Sequence, residues 1–77
     1  MEDRILEILT DICPDVDFQT ETELIDEGIL DSFSVIQIVT SLMEEFDIYI
    51  DADDIEPENL NSLEAIIDLV SQKIEER

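Results

Sequence analysis

Few side chains in this sequence can do chemistry, and the best placed of them is a serine. Ser32 follows Asp31 and opens the longest regular apolar repeat in the chain. The segment Gly28-Ile29-Leu30-Asp31-Ser32-Phe33 thus sets a hydroxyl in the first turn of a helix. Two roles suit a hydroxyl there. Asp and Ser both favour the cap position, where a side-chain oxygen accepts a backbone N–H. Alternatively, the oxygen carries a phosphodiester, because the free N–H groups and dipole of a helix N-terminus stabilise an anion.

Other chemistry is poorly supplied. The chain has no His, so neither Ser32 nor the single cysteine, Cys13, has an imidazole to activate it. Cys13 closes the apolar stretch from Ile5 to Ile12 and reads as a small buried apolar group. Carboxylates are abundant, but acids this dense form a solvated face. A phosphate-cradling loop needs several glycines, and the chain has one. The run from Asp51 to Glu58 invites a calcium loop, yet its sixth position, where that loop needs Gly, is Glu56. The expectation is a protein with no catalytic group and no metal site of its own.

Charge narrows the partners. Twenty-three acidic residues face three basic ones (Arg4, Lys73 and Arg77), a formal net charge of −20. Nucleic acid demands basic patches that displace phosphate counterions, so it is excluded. Anionic membranes are disfavoured for the same reason. A partner with a basic surface would be steered inward. Crowded like charges also predict raised carboxylate pKa values. No apolar run approaches the roughly 20 residues that span a bilayer. Met1-Glu2-Asp3-Arg4 lacks the basic-then-apolar pattern of a secretory leader. The expectation is one domain over residues 1–77, cytoplasmic and monomeric.

The elements that must position Ser32 follow from apolar spacing. Ile5, Ile8, Leu9 and Ile12 repeat as one buried face, predicting a helix over 2–12 that Pro14 ends. From Cys13 to Asp31 no period is sustained. A connection this long is expected to pack onto the core by its own side chains, with Gly28 at positive φ. A second helix is predicted over 32–46. Val35, Ile38, Val39, Leu42 and Phe46 make a complete core face, which leaves Phe33, Ile36 and Met43 outside it. With Thr40 these form a second, partly apolar strip, either buried on another side or open to partners. Asp51 is expected to cap a short helical turn that Pro57 stops. Asn61 is expected to cap the last helix, paired with Glu64 as a capping box. Along that helix Leu63, Ile66, Ile67, Val70 and Ile74 repeat at helical spacing. The predicted fold is all-α: a small bundle of three long helices and one short one, with a long first loop.

Leu30-Asp31-Ser32-Phe33 resembles the Asp-Ser-Leu signature of acyl carrier proteins, with Phe in the Leu position. The resemblance extends over nearly the whole chain. It includes the first amphipathic helix, the long loop, the helix ending Leu42-Met43-Glu44-Glu45-Phe46-Asp47-Ile48, and the acidic short helix. It implies that a phosphopantetheinyl transferase attaches 4'-phosphopantetheine to Ser32, with Asp31 helping to present the serine. It implies a non-catalytic carrier that holds acyl or aminoacyl groups as thioesters and passes them from an activating ligase to acyl transfer enzymes, in fatty acid biosynthesis or another pathway. Phe33, Ile36, Gln37, Thr40, Met43 and Glu44 fall where such carriers touch partners. One departure counts. No charged residue occurs from Ser32 to Met43, and Ser34 and Gln37 stand where fatty-acid carriers place acids. In this the chain is more similar to D-alanyl and other dedicated carriers. Two cargo readings stay open, a dedicated carrier and a general fatty-acid carrier. An acidic helical adaptor that carries no prosthetic group is the alternative from another class.

Overall fold

A computed structural model describes residues Met1–Arg77, and all its regular structure is helical. Helix α1 spans Glu2–Ile12, α2 Ser32–Phe46, α3 Pro57–Leu60 and α4 Leu63–Glu76. A 3-10 turn, Ala52–Asp54, precedes α3. Helix α1 lies on α2, α3 lies on α4, and α4 also touches α1 and α2.

The spacing of apolar residues makes these elements. All 16 buried residues are apolar. Ile5, Ile8 and Leu9 come from α1, and Val35, Ile38, Val39 and Leu42 from α2. Helix α4 supplies Ile66, Leu69 and Val70. Leu69 thus belongs to the core although the repeat read from Leu63 omits it. Phe46 and Ile12 are only partly buried against the cluster. The core holds no ionisable group, so the whole charge of the chain lies at or near the surface.

The long connection is pinned by its own side chains. Phe18, Leu24 and Leu30 are buried, and Val16, Ile25 and Ile29 pack partly against the core. Gly28 has φ +72°, and a Cβ there would meet nothing within 4 Å. The glycine is needed for its dihedral, not for space.

Two boundaries differ from expectation. Pro57 does not stop the turn capped by Asp51. That turn ends at Asp54, and Pro57 opens α3 at its first position, where a missing N–H and a fixed φ are favourable. Nor does Asn61 cap α4. Ser62 does, its hydroxyl accepting the Ala65 N–H at 3.1 Å. The Asn61 side chain is engaged by the long loop instead.

The three cations tie elements together. Arg4 Nη2 meets Glu45 Oε1 at 3.1 Å, joining α1 to the end of α2. Lys73 Nζ meets Asp54 Oδ2 at 2.8 Å, holding the 3-10 turn against α4. The Arg77 guanidinium donates to the Phe46 carbonyl at the C-terminus of α2, where a cation is favoured.

Candidate functional site

Asp31 takes the capping role that local chemistry leaves open to it or to Ser32. Asp31 is extended, at φ −89° and ψ 175°, and is the cap of α2. Its Oδ1 accepts the Ser34 N–H at 2.8 Å. That hydrogen bond, with a second from the Ser34 side chain, holds the Asp31 carboxyl below the usual carboxylate range. Ser32 is therefore the first residue of the helix, not its cap. Its side chain is exposed, and its hydroxyl takes part in none of the intramolecular hydrogen bonds. A free hydroxyl stands at the positive end of a helix of 15 residues.

Beside it runs a cleft of about 260 Å³. Leu30, Asp31, Ser32, Val35 and Ile36 form one side, continued by Ile25 of the loop. Ile55, Glu56, Pro57 and Leu60 form the other. Its walls are mostly apolar. Sequence reasoning places none of the residues from Ile55 to Leu60 beside Ser32. The one available signal was Ile55, an apolar side chain among acids, which is 38% exposed.

The predicted partner strip is partly assembled. Phe33 is 68% and Ile36 60% exposed, so neither serves the core. Gln37 and Thr40 are exposed on the same helix. Met43 is different: it is half-buried against the core cluster. Of these residues only Ile36 also lines the Ser32 cleft. Glu44 lies about 18 Å along α2 from Ser32, at 1.5 Å per residue. It lines a separate depression with Arg4, Asp11, Ser41 and Glu45.

The carboxylates do not follow the expected upward shift. The two that depart clearly from the ordinary range, Asp31 and Asp54, both go down. Asp54 is lowered first by its hydrogen bond from Lys73, and the Asp51 N–H that its carboxylate accepts adds to this. Local hydrogen bonding outweighs diffuse repulsion at these sites. No three of the acidic and thiol side chains converge closely enough to hold a metal ion. No helix is long and apolar enough to cross a membrane.

The family model described as a phosphopantetheine attachment site matches residues 3–70. The chain belongs to that family. It is a carrier protein whose prosthetic group, 4'-phosphopantetheine, is held covalently. The carrier is 30% identical over 77 residues to a D-alanyl carrier protein of Bacillus cereus strain B4264, a match covering 97% of this chain and 92% of that one. A D-alanyl carrier protein of Bacillus anthracis strain CDC 684 / NRRL 3495 matches with the same identity and coverage. No solved structure matches at the same level. Carriers of this kind work with a phosphopantetheinyl transferase and with the ligases and transferases that load and unload them.

Proposed function

We propose that Ser32 bears the phosphopantetheine arm and that the carrier takes an aminoacyl cargo, D-alanine first among the candidates. The observation that carries the attachment point is the free hydroxyl. Asp31 performs the capping, so Ser32 is left exposed at a helix N-terminus that favours a phosphate. The residues fit the group. An arm fixed at Ser32 leaves beside a mostly apolar cleft, and no cation lines that cleft. When bound, the group supplies a thiol that accepts the cargo as a thioester. The chain's own residues hold the attachment point and offer the docking surface.

The cargo reading rests on two supports. The α2 segment from Ser32 to Met43 is uncharged, and the similar proteins are named as D-alanyl carriers. Asp31 presents Ser32 to the transferase. Phe33, Ile36, Gln37 and Thr40 give activating and transfer enzymes an apolar and neutral polar surface, with Met43 and Glu44 at its far end. The apolar cleft beside Ser32 favours a second reading, a fatty acyl cargo.

A direct comparison separates the two. The phosphopantetheinylated protein is offered, with ATP, to a D-alanine-adenylating ligase and to a fatty-acyl ligase. Intact mass should show a D-alanyl adduct, released by hydroxylamine as a thioester is. Loading by the fatty-acyl ligase alone would overturn the aminoacyl assignment.

A further inference from the structure

We propose that Asn61 is a positioning residue for the Ser32 junction. The inference rests on the reading that Ser32 is the residue loaded. Asn61 lies between α3 and α4, remote in sequence from the loop it holds. Its Oδ1 accepts the N–H of Ile25 at 2.9 Å and of Asp26 at 3.1 Å. Its Nδ2 donates to Asp26 Oδ2 at 3.0 Å. Its carbonyl accepts the Leu24 N–H at 2.8 Å. Within residues 17–30 every other hydrogen bond is local to that segment. Asn61 alone ties it to the rest of the chain by hydrogen bonding.

The held segment is the lap that delivers the serine. The Leu30 N–H donates to the Leu24 carbonyl at 3.0 Å and the Gly28 N–H to the Ile25 carbonyl at 3.0 Å. Leu24 is thus bound on one side to Asn61 and on the other to Leu30, the residue before Asp31. The same tether joins the two walls of the cleft. Ile25 and Leu30 stand on the loop side, and Leu60, the neighbour of Asn61, stands opposite. Without the Asn61 side chain the lap keeps its buried Leu24 but loses three of the four bonds that fix its orientation.

A misplaced nucleophile slows transfer without weakening a docking surface elsewhere. The test is the rate at which a phosphopantetheinyl transferase loads the apo protein from coenzyme A, followed by intact mass. Asn61→Ala should lower kcat about tenfold and leave KM near the parent value, because Phe33 and Ile36 are untouched. Exchanging the pair, Asn61→Asp with Asp26→Asn, keeps the Oδ acceptor and reverses the side-chain hydrogen bond, and should restore loading. Asn59→Ala controls for general loosening. It removes a 3.0 Å bond from Asn59 Nδ2 to the Asp54 carbonyl and does not touch the loop, so loading should be unchanged. In the parent protein the Ile25 and Asp26 amides should be protected from hydrogen exchange although they lie outside any helix, Asp26 at the surface.

Unprotected amides in the parent protein would overturn the proposal. So would parent-like kcat in a folded Asn61→Ala protein, failure of the exchanged pair to restore loading, or an equal loss in Asn59→Ala. If Asn61→Ala does not fold, the exchanged pair and the amide protection decide. Loading that persists in Ser32→Ala would overturn the attachment reading beneath this one, a different and separable outcome.

Discussion

The Asp31 carboxylate accepts the Ser34 N–H at 2.8 Å, and that single bond settles which of two adjacent polar residues caps α2. The consequence falls on Ser32, whose hydroxyl has no intramolecular duty. Asp31→Ala should strip the cap, fray the first turn and lower the melting temperature. The Ser34 amide should exchange faster, and transferase loading at Ser32 should slow. Parent-like exchange at Ser34 would show that the cap does not hold this turn.

The exposed residues of α2 separate function from stability. Phe33 and Ile36 are more than half exposed, so truncating either to Ala should leave the melting temperature nearly unchanged, within about 0.5 kcal/mol of parent stability. Affinity for an activating ligase should fall about tenfold per residue if they anchor the interface. Equal binding by the double variant would remove the strip from the partner surface.

The pair between Asp54 and Lys73 predicts a pH dependence. Both side chains are largely covered, 22% and 15% exposed, so salt screens them less than surface pairs. Asp54 has its pKa lowered by folding. Its contribution is therefore complete above the ordinary carboxylate range and is lost as pH falls through the lowered value. Lys73 is shifted up, so at the alkaline end the contribution persists until pH rises through its raised pKa. Asp54→Asn should melt a few degrees lower at neutral pH, and the gap should close on acidification. A gap that stays constant down to strongly acidic pH would contradict the pair.

With 23 acids around an apolar core, diffuse repulsion remains even though Asp31 and Asp54 are locally satisfied. Raising ionic strength to about 0.15 M shortens the Debye length to about 8 Å. The melting temperature at neutral pH should rise with added salt. No rise would mean that helix N-termini and the three cations already compensate the acids.

What could be read from the sequence was what local spacing controls. Ile5, Ile8 and Leu9 mark α1, and Val35, Ile38, Val39 and Leu42 mark α2, because burial of one face imposes the period. Gly28 announced its positive φ for want of any other glycine. The departures all depend on contacts between distant segments. Asn61 and Ser62 are both good caps, and the choice falls to Ser62 because the backbone of Ile25 and Asp26 claims the Asn61 side chain. Pro57 suits a helix start as well as a stop, and only the packing of α3 on α4 decides. Ser32 stood out because its neighbours resemble a signature. Its freedom from capping was not visible, since Asp31 and Ser32 are equally able to cap. The far wall of its cleft lies more than twenty residues along the chain, where no local pattern points back to Ser32.

The central claim is that the Ser32 hydroxyl is where the arm is attached. Its most direct test is the intact mass of the parent protein and of Ser32→Ala after incubation with coenzyme A and a phosphopantetheinyl transferase. The parent should gain one phosphopantetheine increment and Ser32→Ala none, with the variant still helical by circular dichroism. An increment that survives Ser32→Ala, or a parent protein that gains none, would contradict the account.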